Sequence, residues 1–197
     1  MGKLVAINHL TLDGVMQAPG RPDEDERGGF AHGGWAIPDN DEVMFEAMGK
    51  AMATGGPLLL GRRTYEALYD FWPKQTANPY TDALNRTRKH VVSTRLREPL
   101  PWENSTLIAG DVAAAVARLK DESDADVRVL GSGELLRSLM PHGLIDRHVL
   151  MIHPLVLGTG IRLFPAEGST TQLTLSDSVT TTKGVVIATY EVRADFA

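Results

Sequence analysis

Residues 127–140, VRVLGSGELLRSLM, hold the key to the whole chain. Val127-Arg128-Val129-Leu130 is a short apolar run bounded by glycine, which predicts a buried strand. Gly131-Ser132-Gly133 then turns into a helix whose Leu135, Leu136, Leu139 and Met140 recur at helical spacing and face inward. A strand leading through glycines into an amphipathic helix is the repeating unit of an α/β sheet. The same pattern recurs upstream. Thr106–Ala109 reads as a strand that passes through Gly110 to a helix capped by Asp111, with Val112, Val116 and Leu119 on one face. His90–Ser93 and Pro57–Gly61 read as two more strands, the second followed by a helix over Arg62–Tyr69. A connection containing Pro and Asn fills the stretch between that helix and His90. Nearer the N-terminus, residues 3–12 alternate as a strand ending at Asp13-Gly14. Residues 17–40 form a long loop rich in Gly and Pro, with an acidic run over Asp23–Glu26. Asp41–Met52 carries Met44, Phe45, Met48 and Met52 at helical spacing, which predicts a core face.

Downstream of the helix at 133 the pattern changes. Ile145–Pro154, Gln172–Val179 and Val185–Arg193 read as strands with no helix between them. The expected fold is therefore α/β: a mixed, mainly parallel sheet finished by antiparallel strands. No linker, repeat or low-complexity tract divides it, so residues 1–197 are expected to form one domain.

Composition narrows the function. The chain has 197 residues, of which 43% are hydrophobic and 23% charged, which is the balance of a globular protein. It has no cysteine, which excludes disulfides, thiolate metal sites, iron–sulfur clusters and a cysteine nucleophile. A net charge of -5 speaks against a broad nucleic-acid footprint. The opening MGKLVAINHL has no secretory pattern, and no apolar run approaches the ~20 residues that span a bilayer, so a cytoplasmic protein is expected.

Three strand ends carry residues suited to anions. Gly61-Arg62-Arg63-Thr64 joins a strand to a helix, where free N–H groups, guanidinium and hydroxyl converge. Ser93-Thr94-Arg95 offers two hydroxyls and a guanidinium. Gly131-Ser132-Gly133 lets a ligand approach the backbone closely. Each alone reads first as a helix cap or tight turn, and Gly131–Leu136 departs from the dinucleotide fingerprint G-x-G-x-x-G at its last position. Together, at the carboxyl ends of strands in one sheet, they suit an extended phosphate-bearing ligand such as a dinucleotide.

These segments resemble the dihydrofolate reductase superfamily, and more closely its branch named for the reductase domain of the bacterial riboflavin-biosynthesis deaminase–reductase. The resemblance is carried by Val129–Leu135 through Gly143-Leu144-Ile145-Asp146, by His153-Pro154-Leu155-Val156-Leu157-Gly158, by Leu10–Gly14 and by Gly61–Glu66. It spans roughly Lys3 to Val192. It implies a three-layer sheet of about eight strands, NADPH as cofactor and hydride transfer to a heterocycle. Under it, Arg62, Arg63 and Thr64, with Gly61, meet the pyrophosphate and adenosine side. Ser93, Thr94 and Arg95 meet the 2′-phosphate. Gly131, Ser132, Gly133, Glu134 and Leu135 pass under the pyrophosphate and nicotinamide ribose, and Asn8, His9 and Met16 line the nicotinamide pocket.

The superfamily's folate reductases place a carboxylate after a Trp-x-x-Pro step to assist protonation. Here Trp35-Ala36-Ile37-Pro38 is followed by Asp39 and Asp41. The spacing of this Trp from the Gly-Arg motif differs from that pattern, and Met151 falls where a supporting threonine is expected. Asp39 is accordingly expected as a helix N-cap, and Asp13, Asp39 and Asp41 stand as weak catalytic candidates. Asp13 is also expected as a turn residue bordering the substrate pocket. Trp35, beside Gly33 and Gly34, is expected to close over a flat substrate ring. A lone strand histidine such as His9 reads as a proton relay or as a bystander, and Trp72 reads as core. His148 and His153 match no metal spacing, so no metal is expected.

The expected activity is NADPH-dependent reduction of a pyrimidine- or pteridine-like heterocycle, resembling 5-amino-6-(5-phosphoribosylamino)uracil reductase. A folate reductase proper and a non-catalytic NADP(H)-binding protein are the alternatives. No fused deaminase is expected, since the H-x-E and P-C-x-x-C motifs are missing from this sequence. The resemblance also implies a homodimer, with the alternating Val186, Ala188, Tyr190 and Val192 extending a sheet edge.

Overall fold

The computed structural model describes residues 1–53, 56–75, 78–168 and 170–193. One sheet of eight strands organises them: β1 (Leu4–Thr11), β2 (Leu58–Gly61), β3 (Lys89–Val92), β4 (Ser105–Ile108), β5 (Val127–Leu130), β6 (Arg147–His153), β7 (Leu173–Thr180) and β8 (Val186–Val192). Their order across the sheet is β4-β3-β2-β5-β1-β6-β8-β7. The first six of these are parallel neighbours, while β8 runs antiparallel to both β6 and β7. This is the expected mixed, mainly parallel α/β fold.

The pleat explains the layers. Leu4, Ala6 and Leu10 of β1 enter one apolar cluster with Leu59, Val129 and the helices α4 (Val112–Glu122) and α5 (Gly133–Leu139). The intervening Val5 and Ile7 enter a second cluster with Leu58, Leu60, Tyr65 and Leu84. That cluster is covered by α1 (Glu42–Ala53), α2 (Arg62–Phe71) and α3 (Pro79–Arg86). Alternate residues of one strand thus bury against opposite helical layers. Central strands covered on both faces need no polar alternation, which is why LLL of β2 is apolar throughout.

Several expectations need correction. The connection before β3 contains α3, started by Pro79 and by Asn78, whose side chain accepts from Tyr80 N at 2.9 Å. Its last carbonyls are held by buried Lys89, whose Nζ donates to Leu84 O at 2.7 Å and Thr87 O at 2.8 Å. Phe45 is 63% exposed, so only Met44 and Met48 of the stripe reach the core; the Met52 side chain lies outside the described residues. Asp39 is not the cap of α1. That role belongs to Asp41, which accepts from Met44 N at 2.8 Å and also from Thr182. Nor is β8 an edge: it is hydrogen-bonded on both sides, and the open edge at that end is β7.

Candidate active site

A cleft of about 590 Å³ opens at the carboxyl ends of the parallel strands. Volumes of ~300–1,000 Å³ are typical of small-molecule sites, and this end of an open α/β sheet is where ligands bind. Its walls bring together Asn8, His9, Met16, Gly61, Arg62, Arg63, Thr64, Ser93, Thr94, Arg95, Gly131, Ser132, Gly133, Glu134 and Leu135. The three turns singled out in the sequence therefore share one cavity, although Gly61 and Ser132 are 71 positions apart along the chain. Met48, Met151 and the loop residues Glu24, Asp25 and Arg27 are also among the lining residues. Nothing in their local sequence marks them, because long-range packing alone brings them there.

Ser132 is the joint between two of these turns. It holds a left-handed conformation (φ 59°, ψ 48°) just after Gly131 (φ 55°), a region that side chains rarely adopt. The return is its position: Ser132 Oγ accepts from Gly61 N at 2.9 Å and lies 3.0 Å from Thr64 Oγ1. Ser93 organises the third turn similarly, its Oγ accepting from the backbone N–H groups of Arg95 and Leu96, both at 3.0 Å. Gly133 has no room for more. A Cβ there would stand 2.5 Å from the Met16 sulfur.

The arginines differ in their partners. Arg62 pairs with Glu66 at 2.6 Å, one helical turn on. Arg63 of α2 and Arg27 of the long loop both grip Glu134 of α5, and Arg27 also pairs with Asp25 at 2.6 Å, which closes a four-member ion cluster at the cleft. Burial works to raise the Glu134 carboxyl pKa, but the two guanidinium groups outweigh it and hold it below the ordinary value. Arg95 is exposed and makes no ion pair among the described residues.

Two side chains of β1, buried Asn8 and half-buried His9, point chemistry into the cavity. Asn8 is 2% exposed, its Nδ2 donates to Gly131 O at 3.2 Å, and its Oδ1 is buried without a partner among the described residues. An orphaned buried carbonyl oxygen is costly unless a ligand donor meets it. His9 Nδ1 lies 2.9 Å from Nε2 of fully buried His153, whose Nδ1 lies 2.8 Å from Asp39 Oδ2. Burial, and then the neighbouring His153, push the His9 pKa down to about 3.

The remaining candidates lie outside the cleft lining. Trp35 is buried in a small cluster with Val15, Ala18 and Phe30, donates its indole N–H to Gln17 O at 2.7 Å, and packs edge-on against His153. It does not line the cleft and is not placed to cover a substrate ring, because it is buried in the loop cluster and its one donor is taken by Gln17 O. Asp13 accepts from Thr11 Oγ1 and from the N–H groups of Leu157 and Gly158, and these bonds, Thr11 first, lower its pKa to about 2. A carboxylate so occupied stabilises a turn. Asp41 is likewise taken by Thr182 and the helix start. Among the described residues no group of three or more His, Asp or Glu is placed to hold a metal ion, and no helix is long and apolar enough to cross a membrane.

Comparison with known proteins gives one family and several relatives. The family model described as the RibD C-terminal domain matches residues 3–187. Two curated relatives come from Bacillus subtilis (strain 168). The uncharacterized protein YwjB is 31% identical over 137 residues, covering 70% of this chain and 73% of the relative. The uncharacterized protein YyaP is 26% identical over 186 residues, covering 92% and 90%. Among solved structures, a putative riboflavin biosynthesis protein from Shewanella sp. PV-4 superposes with a TM-score of 0.71 at 22% identity, covering 97% of this chain and 99% of that one. A pyrimidine reductase-like protein from Corynebacterium diphtheriae gives 0.64 at 14% identity, covering 98% and 93%.

Proposed function

The chain belongs to the RibD C-terminal domain family, and from that premise we propose that it is a cytoplasmic NADPH-dependent reductase of a pyrimidine- or pteridine-like heterocycle. The observation that carries this reading is the convergence of three anion-suited turns on one cleft that also contains an unpartnered buried Asn8 oxygen. The donor set fits the cofactor. Thr64, Ser132 and the backbone around Gly131–Gly133 offer uncharged hydrogen bonds to a pyrophosphate, while Arg95 and Thr94 suit a further phosphate. Asn8 Oδ1 suits an amide or hydroxyl donor. When bound, NADPH would supply a hydride to the acceptor carbon.

The chain's own residues then have limited tasks. The Ser132 bonds keep the α2 and α5 turns at a fixed separation. Met16, lying against Gly133, and Met151 give the cleft floor an apolar surface that excludes water. In the same reading the protein works as a homodimer, for which the open β7 edge and the exposed Leu175, Val179 and Val186 offer an apolar surface. Sedimentation at micromolar concentration tests that point, and a 21.4 kDa monomer alone would count against it.

The decisive experiment is titration with NADPH followed by its oxidation in the presence of pterins and aminopyrimidines. Binding with turnover of an aminopyrimidine or pterin is expected. Turnover confined to dihydrofolate would make it a folate reductase. Binding without oxidation would make it a nucleotide-binding protein, and absence of binding would overturn the proposal.

A further inference from the structure

The geometry points to His9, His153 and Asp39 as a proton store for that reduction, in which His9 presents the proton, His153 holds its positive charge and Asp39 neutralises it. This rests on the reductase reading above. The three residues come from β1, the end of β6 and the long loop, and 144 and 114 positions separate the bonded pairs. Only His9 reaches the cleft.

Bond polarity fixes the tautomers. A carboxylate only accepts, so His153 Nδ1 carries the hydrogen directed at Asp39 Oδ2, 2.8 Å away. In neutral His153 the other nitrogen, Nε2, then accepts, so the hydrogen in the 2.9 Å contact belongs to His9 Nδ1. That leaves His9 Nε2 bare, with no protein partner among the described residues. If the chain served only to tie the loop to β6, the Asp39–His153 bond would suffice. The second imidazole extends it to the cavity wall.

The store loads and empties in two balanced steps. In the open cleft His9 Nε2 takes a proton from a hydronium ion of the solvent, leaving water, and the Nδ1 proton of His9 moves to His153 Nε2. His9 is again neutral, now with an N–H facing the cleft, and His153 is an imidazolium held between Asp39 and His9. Trp35, edge-on at 5.1 Å, shields that ring from solvent. During reduction the His9 Nε2–H bond breaks and a bond forms from that hydrogen to the acceptor's nitrogen or oxygen. His9 Nδ1 takes back its proton from His153 Nε2, and both rings end neutral. The acceptor carbon takes the hydride supplied by NADPH, so one hydride and one proton are consumed per double bond reduced. Burial disfavours a charge on His9 itself, whereas the Asp39 carboxylate stands beside His153.

The test uses the full chain labelled with ¹⁵N-histidine. Ring-nitrogen spectra of the empty store, at alkaline pH, are expected to show His9 and His153 both protonated at Nδ1 alone; as pH falls and the store loads, the His9 hydrogen should move to Nε2 while His153 becomes protonated on both nitrogens. Asp39→Ala should switch both rings together to the Nε2–H tautomer in the empty store, although Asp39 does not touch His9; Asp39→Leu, which also removes the acceptor, serves if the alanine variant fails to fold. A His9 spectrum that ignores the change at Asp39 would overturn the store. In turnover with NADPH and the best aminopyrimidine or pterin, His9→Gln should lower kcat by about 10²–10⁴-fold while NADPH still binds. Wild-type turnover with His9→Gln undiminished would overturn the store alone. A wild-type protein inert towards every acceptor would overturn the reductase reading, and the store's purpose with it.

Discussion

Arg95 gives the sharpest test of cofactor choice. Its guanidinium makes no ion pair among the described residues, it is exposed, and its own backbone N–H is already held by Ser93 Oγ at 3.0 Å. Arg95→Ala therefore removes a charge from the cleft without breaking a bond that supports the fold. A hydrogen bond to a charged group is worth ~1.5–3 kcal/mol, which corresponds to a loss of about 10- to 150-fold in affinity. If Arg95 meets the 2′-phosphate, the whole loss falls on NADPH and NADH is unaffected. Calorimetric titration of both cofactors into wild type and variant, with an unfolding curve for each protein, separates the effects. The wild-type preference for NADPH should also shrink as salt rises, since the contact is solvent-exposed. Equal loss for both cofactors would move Arg95 to the shared pyrophosphate, and no loss for either would remove it from the site; both results refute the reasoning. Arg62 is a poorer probe, because its removal also frees Glu66.

The side chain of Met16 should behave as a gate on Gly133. Gly133→Ala places a Cβ 2.5 Å from the Met16 sulfur and should push the thioether into the cleft, weakening NADPH by about tenfold; adding Met16→Ala should restore binding. Buried His148 is expected to make the fold acid-sensitive. Burial lowers its pKa from 6.5 to about 4, so the unfolded chain binds a proton first as pH falls. Its contribution is complete above pH ~6.5 and lost as pH drops through about 4, at most about 3 kcal/mol. Urea unfolding at pH 7 and 4.5 should show a smaller pH effect in His148→Leu than in wild type, and an identical effect would refute the assignment.

What the sequence discloses is mostly local. The strand–turn–helix units are legible because glycine, a cap and a 3.6 period lie within a dozen residues; Asp111 does accept from Ala114 N at 3.1 Å. The α3 helix is missed because it is eight residues long, mostly polar, and begins with a proline that reads as a breaker. Asp39 and Asp41 exchange roles for a reason no local rule contains: the distant strand β6 presents His153 to the first, leaving the helix start to the second. Trp35 looks available among its glycines, yet the loop packs around it. The cleft residues of the three turns are readable from composition at strand ends. The ion cluster joining Arg27 to Glu134 spans 107 positions and has no signature in either segment.

The long loop deserves a last physical consequence. Buried Gln17 ties it together from within: its Nε2 donates to Asp25 O and Arg27 O, its Oε1 accepts from Ile161 N, and its carbonyl accepts from the Trp35 indole. With Val15, Ala18, Phe30 and Trp35 the segment has a small core of its own. A wall already folded before any ligand arrives has little conformational entropy left to lose on association. Ligand capture should then be a single diffusive encounter with an open cavity, with no slow phase for loop closure and a heat-capacity change set only by the surface the ligand itself covers.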